Sequence, residues 1–161
     1  MANTDALLRL AYAATETGNF EHARQCYERG ADLNDPECLH ALAYMYDVGE
    51  GVIADKAAAM KLYRRAWLRG SHAAGNNIAI LYREQGNRQA MFRWFKRVAL
   101  AGDGSASLEM AKCYLGGLGV RKDAQAAIRC LAAANTSLYI SEAERDEVQA
   151  LLAELKPCLS E

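Results

Sequence analysis

Apolar positions fall at helical spacing along most of the chain. Leu39, Leu42, Ala43 and Tyr46 line one face of one segment, and Ala59, Leu62, Tyr63 and Ala66 line one face of the next, the three-and-four periodicity of amphipathic helices. The pattern then repeats. Ala11, Ala43, Ala79 and Ala111 are separated by 32, 36 and 32 residues, and three residues after each stands Ala14, Tyr46, Tyr82 or Tyr114. A register kept four times marks a repeat architecture. Alanine at the first slot lets two helices approach closely and the aromatic fills the gap beside it. A single pair cannot bury such faces, so the pairs must stack.

The difference between 32 and 36 lies in the loops. "YDVGEGVIAD" at 46–55 returns as "YLGGLGVRKD" at 114–123, whereas the turns at Gly18-Asn19 and Gly86-Asn87 are four residues shorter. Each loop has the chemistry of one helix ending and another starting: glycine supplies the left-handed closing residue, and Asn or Asp accepts the free amide hydrogens that follow. Asp35-Pro36, Ser71 after Gly70, Asp103 after Gly102, and Ser141 with Glu144 carry the same signals. Helices are therefore predicted near 4–17, 20–32, 36–48, 55–69, 71–85, 88–101, 104–116, 123–134 and 141–156. These make four hairpins, at about 4–34, 35–70, 71–102 and 103–138, and a polar-faced C-terminal cap at 141–156, in one domain spanning 1–161. The "AAANTS" stretch predicts that the eighth helix ends by Asn135, short of Leu138, where the repeat would close.

The pattern Ala-x-x-Tyr-x-x-Gly-x-Gly-Val-x-x-Asp, followed by Ala59, Leu62, Tyr63, Arg64, Arg65, Ala66 and Gly70, resembles the Sel-one-like repeat family, relatives of the tetratricopeptide repeats. The resemblance covers roughly residues 5–138 and departs from the pattern at Ala14, which stands in a tyrosine slot, and in the shorter loops of the first and third units. It implies an all-α, right-handed solenoid of stacked antiparallel helix pairs, an α/α superhelix. It also implies a noncatalytic adaptor or scaffold that holds a partner protein or peptide in its concave groove. Extracellular enzymes resembling this family pair cysteines in every repeat, and the cysteines here do not follow the repeats.

Composition narrows the function classes. The chain has 161 residues and a net charge of −1, enough length for a core without disulfide staples. Charge is uneven: residues 1–55 hold ten acids and three bases, 56–135 four acids and fourteen bases, and 136–161 six acids and two bases. Five cysteines, Cys26, Cys38, Cys113, Cys130 and Cys158, lack any CxxC or regular spacing and read as reduced core thiols. No apolar run reaches membrane-spanning length and the N-terminus has no signal-peptide pattern, so a cytoplasmic protein without direct membrane insertion is expected.

Candidate chemistry is sparse. The glycine loops follow helices and lack the strand and third glycine of a dinucleotide fingerprint, so phosphate binding is disfavoured against a turn. Cys38 and His40 point about 200° apart on one helix, which disfavours a shared metal. No nucleophile–base pair is legible, and no cofactor or enzyme activity is expected. The groove reading rests on side chains of the first helices left over from packing: Tyr12, Thr15, Glu37, His40, Tyr44, Asp47, Asn76, Ile80, Arg83 and Lys112. An alternative is nucleic-acid or anionic-surface binding through the outer basic helices, carried by Arg64, Arg65, Lys96 and Arg97 with Trp67 and Trp94 interleaved. Homodimerisation through the N-terminal hairpin is a further expectation.

Overall fold

Asn and Asp side chains start the helices as their spacing predicts. In the computed structural model, which describes residues 4–155, Asn19 accepts the His22 amide, Asp35 those of Glu37 and Cys38, and Asp55 those of Ala57 and Ala58. Asn87, Asp103 and Asp123 do the same for Ala90, Ala106 and Ala126, and Ser141 with Glu144 forms a reciprocal capping box. Each cap contributes about 1 kcal/mol. Gly49 and Gly117 close their helices in the left-handed conformation, at φ 79° and 68°.

These signals delimit α1 (Thr4–Glu16), α2 (Phe20–Asp32), α3 (Pro36–Val48), α4 (Lys56–Leu68), α5 (His72–Glu84), α6 (Arg88–Leu100), α7 (Gly104–Gly116), α8 (Ala124–Thr136) and α9 (Glu142–Leu155). Every predicted helix is present, within two residues at each described end. The predicted last residue of α9, Lys156, and Cys158 lie outside the described residues. One boundary is corrected: α8 continues to Thr136, whose hydroxyl bonds back to the Ala132 and Ala133 carbonyls, and extended backbone at Ser137 ends it. The Thr136 hydroxyl, bonded back into the last turn, carries α8 one residue past Asn135. Among the described residues there is no strand, only an isolated bridge between Asp103 and Tyr139.

The chain forms two compact units, residues 1–78 and 79–161, with the boundary inside α5. In the first, α1 packs on α2, α2 on α3 and α3 on α4. Ala11 and Ala43, the small-residue slots, are fully buried, and Leu7, Tyr27, Leu39 and Tyr63 are buried in the same unit. Gly30 of α2 touches Cys38 of α3 so closely that a β-carbon there would meet the sulfur.

In the second unit, α6 packs on α7, α7 on α8, and α9 on both α7 and α8. Leu108, Ala111, Ala127, Leu131, Ala134 and Val148 make one buried cluster, with Ile140, Leu151, Leu152 and Leu155 against it. The last helix thus adds an apolar face to the preceding pair, and Arg145 binds the Asn135 and Ser137 carbonyls at the end of α8.

Candidate functional site in the first unit

The first unit contains a cavity of about 660 Å³, within the range of about 300 to 1,000 Å³ usual for binding sites. Five anticipated groove residues line it: Tyr12 and Thr15 from α1, and Glu37, His40 and Tyr44 from α3. Their i, i+3 and i, i+4 spacings place them on one face of each helix. Tyr12 and Tyr44 remain 51% and 48% exposed, large amphipathic surfaces with polar tips. Tyr12 packs edge-on against Tyr27 at 6.3 Å. Burial, then the charge of Glu37, raises the Tyr12 phenol above its ordinary value, so it is a neutral donor at neutral pH.

His40 is held from behind. Burial lowers its pKa, which keeps the imidazole neutral, and its Nε2 accepts from the Asn77 amide at 3.0 Å. Its ring lies 5.7 Å from that of Tyr63, whose hydroxyl donates to Asp47 at 3.1 Å. The remaining wall was not legible from the first helices alone. Tyr27 comes from α2, Met45 is a buried residue of α3, Arg69 and Ser71 come from the α4–α5 turn, and His72 and Ala73 from the start of α5, with Glu50 from the long loop. The short turn at Gly70 is the available signal, since it leaves α5 to start directly after α4, and both α5 and α3 contribute to the cavity lining.

The other anticipated residues lie apart from the cavity lining. Asp47 is engaged by Lys56 and Tyr63, and Asn76 is half-buried on α5. In the second unit, Ile80 is half-buried, while Arg83 and Lys112 both reach Glu109, at 3.2 and 3.0 Å, and Lys112 also reaches Glu147 of α9 at 2.9 Å. Burial lowers the Lys112 pKa, but its bonds to Glu147 and Glu109 outweigh that and hold it above the ordinary value. Glu109 is an unforeseen hub, signalled only by its i, i+3 relation to Lys112.

The basic-face residues divide in role. Arg65 donates to the Ala31 carbonyl at 3.1 Å and to Asn34, tying α4 to the end of α2. Arg64, Lys96 and Arg97 are exposed, and Arg97 lies over the Trp94 ring at 5.0 Å. The described cysteines Cys26, Cys38, Cys113 and Cys130 are unpaired thiols. Burial pushes Cys38 up to about 12 and Cys113 to about 11, inert protonated forms at neutral pH.

The glycine loops are filled by protein. A β-carbon on Gly51 would fall 2.3 Å from Cβ of Phe20, the first residue of α2, and one on Gly119 would fall 2.0 Å from the Arg88 carbonyl at the start of α6. The bare faces that could approach a phosphate are occupied by the preceding repeat.

Comparison with known proteins agrees with this architecture. The sequence model of the Sel1 repeat matches residues 4–35, 36–71 and 104–135. The chain belongs to the Sel1 repeat family. Sel1 repeats are all-α solenoids, generally act as protein-interaction scaffolds and are typically noncatalytic. Among solved structures, a Sel1 repeat protein from Oxalobacter formigenes is 26% identical with a TM-score of 0.77, over 86% of this chain and 60% of that one. The protein c5321, a protective antigen present in uropathogenic Escherichia coli strains displaying an SLR fold, is 28% identical with a TM-score of 0.71, over 82% of this chain and 30% of that one. MamA shares the fold at 17% identity and a TM-score of 0.57, over 98% of this chain and 88% of that one. The chain thus spans less than two thirds of the length of the first two. No curated protein matches it. No helix among the described residues is long and apolar enough to cross a membrane.

Proposed function

We propose that this Sel1 repeat protein is a noncatalytic adaptor that holds a segment of a partner protein in the cavity of its first unit. The observation that carries the reading is the convergence of Tyr12, Thr15, Glu37, His40 and Tyr44 on one cavity of about 660 Å³. Two half-exposed tyrosines offer contact area at low entropic cost. Glu37, the neutral His40 and the Thr15 hydroxyl supply fixed polar partners for a peptide backbone or side chain. Within the first unit, Asp47 and Asn76 stand on α3 and α5 outside the cavity lining, and in the second unit Ile80, Arg83 and Lys112 stand on α5 and α7; Asp47, Arg83 and Lys112 have carboxylate or cation partners that a bound segment would rearrange. Unpaired thiols at the four described cysteines suit a reducing, cytoplasmic setting.

The test is quantitative capture from native lysate by wild type and by a Tyr12→Ala/Tyr44→Ala variant. Both side chains lie on the surface, so the variant should retain the wild-type circular dichroism spectrum. A stoichiometric partner recovered by wild type and lost at least tenfold by the folded variant supports the reading; undiminished capture removes it.

A further inference from the structure

A second pocket lies in the second unit and involves none of these residues. It is a space of about 250 Å³ between α6, α7 and α8. Leu100, Met110 and Ala133 give it apolar walls, and Lys96 of α6 and Arg129 of α8 also line it. Leu100 is 79% exposed, an apolar side chain left beside two exposed cations.

The charged residues that line this pocket have one sign. Neither α6 nor α8 contains a carboxylate, and between them they carry Arg88, Arg93, Lys96, Arg97 and Arg129. The acids of α7 and of its flanking loops are committed elsewhere: Asp103 is buried at the start of α7 and caps it, Glu109 binds Arg83 and Lys112, and Asp123 caps α8. The pocket volume is below the about 300 to 1,000 Å³ typical of small-molecule sites, yet ample for one large side chain.

We propose that this pocket is a docking site for an acidic peptide segment of a partner protein, which seats a single large apolar side chain on Leu100 and Met110 while its flanking carboxylates pair with Lys96 and Arg129. The apolar floor separates this occupant from nucleic acid, which would meet the cations but offer no aliphatic anchor. The one-signed rim separates it from basic segments, which it repels.

The experiment is fluorescence anisotropy on the full chain with three labelled probes: a 12-residue Glu-rich peptide with one central Leu, the same peptide with Ala in its place, and a 12-nucleotide single-stranded DNA. The Leu peptide should bind saturably, more weakly at higher salt, and the Ala peptide about tenfold or more weaker. Lys96→Glu/Arg129→Glu should reduce Leu-peptide binding by a similar factor. Ala133→Phe, which fills the exposed pocket without altering charge, should do the same and keeps the test decisive should the charge reversal disturb folding. Equal binding of the Leu and Ala peptides, DNA binding as tight as that of the Leu peptide, or no saturable peptide binding would each overturn the proposal.

Discussion

The α-carbon of Gly119 lies so close to the Arg88 carbonyl that a β-carbon would stand 2.0 Å from its oxygen. A β-carbon on Gly51 would stand 2.3 Å from the Phe20 β-carbon. In both units the second glycine of the long loop seats on the start of the preceding repeat's second helix, and both have positive φ. The twice-written loop is therefore a packing joint. Gly119→Ala and Gly51→Ala should each cost about 3 kcal/mol, from left-handed strain together with steric clash. Gly18 and Gly86 also have positive φ but open space around them, so alanine there should cost about 1 kcal/mol. Urea unfolding of the four variants measures the difference.

Asp47 joins α3 to α4 through the fully buried Tyr63. Asp47→Ala leaves that hydroxyl without its carboxylate acceptor and should cost about 2 kcal/mol. Asp47→Asn keeps an acceptor and loses mainly the half-exposed Lys56 pair, so it should cost less than about 1 kcal/mol. Equal losses in chemical denaturation would count against the shared network.

His40 makes the first unit sensitive to acid. Burial lowers its folded pKa below the ordinary 6.5, so the folded state binds fewer protons than the unfolded chain as pH falls through that range. The contribution is fully present above about pH 6.5 and is lost progressively as pH falls through the folded value. Thermal unfolding from pH 8 to pH 5 should therefore show a loss of stability that is shallower in His40→Gln. An unchanged slope in the variant would assign the pH dependence to other groups.

How much was legible follows from what each feature depends on. The helices were readable because caps and glycine turns are local signals: Asp55, Asn87 and Asp123 bond amides two or three residues away. The small-residue slots were readable because Ala11, Ala43, Ala79 and Ala111 keep one register and are all fully buried. The α1 and α3 parts of the cavity followed from helical spacing. Tyr27, Arg69 and His72 did not, since their place in the wall depends on how the α4–α5 turn and α2 meet the groove. Glu109 is not legible as a hub because its bond to Arg83 joins residues 26 apart in sequence, and only its i, i+3 relation to Lys112 is local.

Arg65 separates structural from available cations. Because its guanidinium holds the Ala31 carbonyl and Asn34, Arg65→Ala should cost about 1 kcal/mol. Lys96, exposed at the rim of the second pocket, should change stability by less than about 0.5 kcal/mol when replaced by alanine. Differential scanning calorimetry of the two variants distinguishes them.

If the cavity of the first unit holds a partner segment, Tyr44 should lie within reach of that partner. The most direct measurement is photo-crosslinking in living cells from p-benzoylphenylalanine placed at Tyr44, compared with the same group at the exposed Arg64 of α4. A discrete protein adduct from position 44, absent from position 64 and suppressed by Tyr12→Ala, is the predicted result. Adducts from position 64 with none from position 44 would rule out the cavity and move the working surface to the exposed face of α4.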